Sequence, residues 1–465
     1  MNRLVFQLAD SVAPGDGSAY VALSLAEPRV FGSPALPFPV TANDPPYAAL
    51  VGGVLPEHGV LDAGRALYDA LLVHPHLQQA LQSALQTQPP ARFPVLVEIA
   101  TGAGAEALPW ETLCAPSGDF LGLDERWAVG RVVAGPGPTP TEWFLRAPLR
   151  VAAVLSCLGV EAAGEWAALR DGLAAAPGLG TEVLAVVSEE SLHAQITAEA
   201  LPGVRVELVP SDVGDLQRLV AEFHPHVLHF FCHGSTEGTA HLQVAVKSDW
   251  VTGTPERSLL VEAREIRAFT RPTDDPPWVV VLNCCRSAAG SETAQLESLA
   301  LKLVYDAGVP AVVGMREPVL SDDASVFSAA FYRRLATDLA ARLDGTVPAE
   351  QPWDWAALVV EARTRLARRM PGLTLSAAAA ATKEWSLPVV YTRPEPLLVR
   401  PGHPGEPAPG PQVAPADPEQ AARAARLELQ ALQALAGGLP PEAPDGLRSD
   451  IAARIAELTA GLGPS

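Results

Sequence analysis

Between residues 149 and 391, short runs that are apolar at nearly every position alternate with stretches of helical period. Few folds accept that pattern. Residues 150–155, 182–187, 227–231, 278–282 and 311–313 offer a strand no side to turn toward water. Residues 165–175, 213–223, 298–307, 324–343 and 355–370 carry the period of helices. Apolar strands separated by helices predict an α/β, doubly wound, mostly parallel sheet with helices on both faces. Residues 204–209, 242–246 and 387–391 add further strands.

The first 145 residues predict an N-terminal α/β half. It has strands at 4–8, 20–25 and 93–99 and helical periodicity over 61–86, broken at Pro75. Prolines between 136 and 140 mark its boundary with a second region, 148–393. Residues 394–416 hold eight prolines and three glycines and read as an extended linker outside the core. Asp417-Pro418-Glu419-Gln420 then opens a helix with a capping side chain, a first-turn proline and a glutamine. A second helix follows from about residue 447, so 417–465 predicts a helical hairpin. Its apolar stripe (Leu427, Leu432, Leu435, Ile451, Ile455, Leu458) is too small for a core of its own. A regulatory or adaptor role through these helices is the expectation.

With 33 basic against 53 acidic residues, the chain carries a net charge of −20. Nucleic acids and anionic membranes are poor partners for that field. No run approaches the length of a membrane span, and no basic start leads an apolar segment, so a cytoplasmic protein is expected. Five cysteines in so long a chain do not suggest a disulfide framework.

Two strand ends stand out. One is His229-Phe230-Phe231-Cys232-His233-Gly234, the other Val281-Leu282-Asn283-Cys284-Cys285-Arg286-Ser287. In open parallel sheets ligands sit beyond the carboxyl ends of strands. His233 precedes Cys285 by 52 residues, near the spacing of about 50 in caspases. A thiol needs a cationic or dipolar neighbour to become a nucleophile. His233 and the start of the following helix would supply one, and His233 can protonate a leaving amine. The backbone N–H groups of Gly234 and Cys285 are the natural oxyanion donors.

These residues resemble the CHAT family of caspase-like cysteine peptidases, related to caspases and separases. Pro109-Trp110-Glu111, the segment from Ala307 to Gly314, the pair Phe331-Tyr332 and Glu384-Trp385 with the strand after it resemble further motifs of that family, in order. The resemblance implies a caspase-like fold and a cysteine endopeptidase cutting a protein substrate through a Cys285–His233 dyad and a thioester. It also implies a setting in regulated bacterial proteolysis, such as defence or cell death. No cofactor is implied. The rival class is a silent interaction module on the same fold.

Other residues have plainer readings. Arg316, Asp322 and Asp323 follow the strand ending near Gly314, where caspase-like folds build the substrate pocket, and are candidates for substrate binding. Asp322 and Asp323 equally suit the start of the helix at Ala324. His229 reads as a core histidine, and His224 and His226 as surface loop. Trp110 and Glu111 read as structural ties between the two regions. A zinc site from His224, His226, His229, Cys232, His233 and Cys284 fails because a strand alternates its side chains. The same alternation sets Cys284 opposite Cys285.

Overall fold

The computed structural model describes residues 3–12, 19–30, 33–51, 55–99, 104–135, 141–235, 240–269, 276–284 and 298–402, with six separate helical positions between 429 and 459. In chain order, the N-terminal half runs β1 (Leu4–Val12), β2 (Ala19–Glu27), β3 (Leu36–Pro37), α1 (Pro45–Val51), α2 (Gly59–Leu71), α3 (Pro75–Leu85), β4 (Val95–Ile99) and β5 (Val129–Val132). Next come β6 (Glu142–Leu145), β7 (Leu149–Ser156), α4 (Ala163–Leu173), β8 (Thr181–Val187), α5 (Glu190–Glu199), β9 (Val204–Leu208), α6 (Val213–Phe223) and β10 (Val227–Ser235). They are followed by β11 (His241–Val244), α7 (Lys247–Thr252), β12 (Leu259–Glu262), α8 (Ala263–Arg267) and β13 (Val279–Leu282). The last are α9 (Leu299–Tyr305), β14 (Ala311–Met315), α10 (Ser321–Leu343), α11 (Trp355–Ala367), α12 (Leu375–Ala381), β15 (Pro388–Thr392) and β16 (Leu398–Pro401).

The strands join in one sheet ordered β3-β2-β1-β4-β5-β15-β14-β13-β10-β7-β8-β9, with β11 and β12 branching from β10. The expected α/β class with a mostly parallel sheet is what forms. From β14 to β9 every pair is parallel. β15 is antiparallel to β14 yet parallel to β5, and β5, β4 and β1 are parallel to one another. The sheet is therefore two parallel blocks of opposite sense. Residues 1–145 and 148–393 supply one continuous sheet, not two.

Strand alternation sorts the core by face. Val151, Ala153 and Leu155 of β7, Val227 and Phe231 of β10, and Val279 and Val281 of β13 pack with Trp166 and Leu169 of α4 and Phe327 and Phe331 of α10. Leu228, Phe230 and Cys232, and Val280, Leu282 and Cys284, face the other way, onto Leu216 and Val220 of α6 and Leu303 and Val304 of α9. A Cβ on Gly172 of α4 would stand 2.8 Å from the Tyr332 Cβ, so only glycine lets α4 and α10 approach this closely.

The two halves are stitched by a buried charge network around the Pro109-Trp110-Glu111 segment. The Trp110 ring meets Phe6 edge-on at 5.4 Å, and its indole N–H donates to the Ala105 carbonyl at 2.9 Å. Gly64 and Gly122 press on the carbonyls of Thr112 and Glu111, where a Cβ would collide at 2.0 and 2.4 Å. Glu111, fully buried, accepts two hydrogen bonds from Arg131 of β5 at 3.0 and 3.1 Å. Arg131 also donates to Tyr391 of β15 and to the Leu108 carbonyl. Burial alone would raise the Glu111 carboxyl, but Arg131, with Arg363 and Arg316 behind it, outweighs burial and holds it below the usual carboxylate range. Trp110 and Glu111 thus tie the regions together, as expected from sequence.

One boundary is corrected. The chain does not leave the core at residue 394. β16 pairs in parallel with β6, and Leu397 and Val399 are buried in the main core. Prolines at 394, 396 and 401 flank this short two-stranded sheet, where few ladder donors are needed. The expected hairpin at 417–465 lies outside the described residues apart from the six helical positions.

Candidate active site

β10 outruns β13. Its first residues pair with β7 and β13, and past Phe230 the β13 register ends. β10 then takes β11 as an antiparallel partner, with His233 opposite Gln243 and Gly234 opposite Leu242. His233 therefore stands at the carboxyl rim of the parallel block, half-buried. Its Nε2 lies 2.7 Å from the Leu158 carbonyl oxygen. A carbonyl only accepts, so Nε2 carries the hydrogen and Nδ1 is left as the basic nitrogen of the neutral ring.

The Leu158 carbonyl is presented by a tight turn after β7. The Val160 N–H donates to the Cys157 carbonyl at 2.9 Å, and Gly159, at the third position of the turn, has φ +79°. That left-handed value favours glycine there. Cys157 Sγ sits 3.6 and 3.7 Å from the two ring nitrogens of His233, so the thiol and the carbonyl fix the ring together.

On the adjoining strand, Cys284 turns away from His233. Its thiol is buried, 3.4 Å from the Cys232 sulfur, and donates to the Phe230 carbonyl at 3.3 Å. Cys284 is a core residue of the α6–α9 face. Asn283 occupies the opposite face, the one His233 faces. Its Nδ2 lies 2.9 Å from Glu165 Oε1 and 3.1 Å from both the Ala324 carbonyl and Ser328 Oγ. Cys285, and with it the second expected oxyanion donor, lies outside the described residues.

The family model of the CHAT domain matches residues 61–361, about two thirds of the chain. The chain belongs to the CHAT domain family. No curated protein sequence matches it. Among solved structures, the crystal structure of the Arg-specific cysteine proteinase gingipain R is similar over 75% of this chain and 70% of that one, at 9% identity and a TM-score of 0.37.

The remaining expected site residues of this CHAT protein take other places. Asp323, buried in the first turn of α10, pairs with Arg369. Asp322 is 85% exposed in its side chain, 4.0 Å from the same guanidinium. Both serve as acids of the α10 N-terminus, and only Asp322 is open to solvent. Arg316 turns its side chain inward. Its guanidinium lies 3.6 Å from Glu317 and 3.5 Å from Ser386 Oγ, and burial lowers its pKa against the opposing charge of Glu111. His229 is buried, with Nε2 3.2 Å from Glu165.

His226 is not a loop histidine. Its ring stacks on Trp278 at 4.6 Å, and Nδ1 accepts from the Arg150 N–H at 3.1 Å. Burial first, and Arg150 second, lower its pKa to about 3. Among the described residues no group of three His, Cys, Asp or Glu side chains could hold a metal ion.

Sequence reasoning missed Cys157, Leu158, Glu165 and Arg131. Gly159, placed directly after an apolar strand, was the visible sign of the turn that orients His233. Nothing in the sequence marks Arg131 as buried, since a charged residue in a strand ordinarily faces water.

Proposed function

We propose that this CHAT protein is a cysteine endopeptidase acting on a protein substrate through Cys285 and His233. The observation that carries the reading is the state of His233. With Nε2–H given to the Leu158 carbonyl, the ring can take the thiol proton only at Nδ1. The face shared by His233 and Asn283 supports the rest, because alternation returns position 285 to that face.

The chemistry follows in two steps. The Cys285 thiol loses its proton to His233, and the thiolate attacks the scissile carbonyl carbon. The C–S bond forms as the carbonyl becomes an oxyanion, for which the N–H groups of Gly234 and Cys285 are the donors we assign. His233 returns the proton to the leaving amine as the C–N bond breaks, leaving a thioester. Water then attacks the thioester, yielding the new carboxyl terminus and the free thiol. The chain's own groups balance each step, so no cofactor enters.

Asp322, exposed beside the rim, together with the acidity of the chain, favours a basic residue before the scissile bond. A positional peptide library checks that preference, and selection of acidic or aliphatic residues there rejects it. The C-terminal segment from residue 417 serves, in this reading, as an adaptor that recruits a partner, in a cytoplasmic protein of regulated proteolysis. Among the described residues no helix is long and apolar enough to cross a membrane.

A survey of new protein N-termini in cells tests the activity, comparing wild type with Cys285→Ala and His233→Ala. Cleavages present in wild type and absent in both variants are expected. The same cleavages persisting in Cys285→Ala would overturn the assignment.

A further inference from the structure

The stretch that carries Cys285 leaves β13 after Leu282 and rejoins the described fold at Ser298. A buried glutamate stands at each end. At the rejoining end, Ser298 caps α9 through its Oγ, and its N–H donates to Glu106 Oε2 at 3.4 Å. Glu106 is itself held by the Tyr391 hydroxyl at 2.8 Å. At the leaving end, Asn283 is 1% exposed and its amide is enclosed by Glu165, Ser328 and the Ala324 carbonyl.

The leaving end is unusual in its polar chemistry. Glu165 is buried, and besides Asn283 it takes a hydrogen bond from Ser328 and faces His229. Around it, Glu165 Oε2, Asn283 Oδ1, both His229 nitrogens and the Tyr332 hydroxyl have no hydrogen-bond partner among the described residues. Native cores satisfy such groups, and the exceptions concentrate where a group has a task beyond packing. This cluster has a fixed relation to the dyad. His229 lies four residues before His233 on the same face of β10, and Asn283 two residues before Cys285. A polar layer in an otherwise apolar face thus lies directly beneath the two residues of the proposed chemistry.

We infer that Glu165 is a positioning residue for the nucleophile, acting through Asn283. Resting on the peptidase reading above, the inference assigns the aim of the Cys285 thiol to a carboxylate on α4 that touches neither substrate nor thiol. Asn283 Nδ2 has two hydrogens and three acceptors within 3.1 Å, and Glu165 Oε1, at 2.9 Å, is the nearest of them. With Glu165 gone, the amide keeps the Ser328 and Ala324 acceptors of α10 and loses its tie to α4. The backbone two residues before Cys285 is then free to rotate its successor away from His233.

The test is alkylation of the full chain by iodoacetamide, read at Cys285 by mass spectrometry from about pH 5 to about pH 10, with thermal unfolding in parallel. A free thiol reacts as its thiolate forms near pH ~8.5, whereas one activated by an imidazole reacts well below that. Wild type should alkylate at Cys285 near pH 6. Glu165→Ala and Asn283→Ala should each lose at least about tenfold in that rate and move the profile toward the free-thiol value. Glu165→Gln keeps an acceptor for Asn283 and should restore the profile to within about threefold of wild type.

A merely structural glutamate would lower the unfolding temperature and leave the profile in place. An unchanged profile in Glu165→Ala beside an activated wild type overturns this inference alone. Equal damage from the Gln and Ala variants also overturns it. Should Glu165→Ala not fold, Glu165→Gln and Asn283→Ala decide the matter. A wild type whose Cys285 reacts like a free thiol overturns the dyad reading, and this inference with it.

Discussion

Replacing Glu111 by alanine should destabilise the protein more than any comparable change at its surface. The carboxylate is fully buried and accepts two hydrogen bonds from Arg131, itself fully buried. Arg363 and Arg316 also feel its charge, and burial already drives the Arg363 guanidinium down to about 10. Glu111→Ala therefore strands a buried cation with two more behind it. Removing one partner of a buried pair costs about 3–5 kcal/mol, because the remaining charge is neither solvated nor paired. Three guanidiniums around one carboxylate place the expected loss in the upper part of that range.

Equilibrium urea unfolding, followed by tryptophan emission, reads the loss directly, since Trp110 is the neighbouring residue. Glu111→Gln keeps acceptor and donor atoms but no charge and should fall between wild type and Glu111→Ala. The pH dependence has a definite sign. A carboxyl held below its unfolded pKa contributes fully above the ordinary carboxylate range and loses that contribution as pH falls through its folded pKa. Wild type should lose stability in acid more steeply than Glu111→Gln. A cost below about 1 kcal/mol for Glu111→Ala would refute the view that this pair stitches the halves of the sheet.

Three further outcomes are expected. Gly172→Ala should cost about 1–3 kcal/mol in urea unfolding, since its Cβ would meet the Tyr332 Cβ at 2.8 Å and the Ala329 carbonyl at 3.0 Å. His226, with its pKa at about 3, contributes stability in full above about pH 6.5 and loses it as pH falls from there toward 3, at no more than about 1.4 kcal/mol per pH unit; His226→Gln should flatten that part of the profile. Cys284→Ala should cost about 1 kcal/mol by leaving a small gap beside Cys232, while Cys285 keeps its alkylation profile.

The strands of the β14-to-β9 block were legible because each is apolar on both faces, and β7, β8, β10 and β13 form where the pattern placed them. α6 spans the residues its periodicity marked. The sense of β15 was not legible, because direction leaves no trace in composition. β10 was read as ending at 231 but runs to Ser235, since the exchange of β13 for β11 as partner happens in space. α5 went unread because only Leu192 and Ile196 are buried on it, too few to show a period. At the site, the residue types found His233. The carbonyl that orients its ring belongs to Leu158, whose side chain says nothing of where its backbone points.

The place of β15 bears on how the molecule is made. Residues 388–392 are among the last the described sheet receives, yet they lie at its centre, with β14 on one side and β5 on the other. Within the sheet, no other described strand links the two blocks. During synthesis from the N-terminus, the blocks can form separately, but the ladder between them stays open until residue 392 has been added. Joining β5 to β15 then closes a loop of some 260 residues, the slowest kind of contact for a chain to find. The Glu111–Arg131 pair reaches Tyr391 only after that closure. A growing chain would thus carry both strand ends of the site well before its two halves are locked together, and assembly of the whole waits on five residues near the end of the fold.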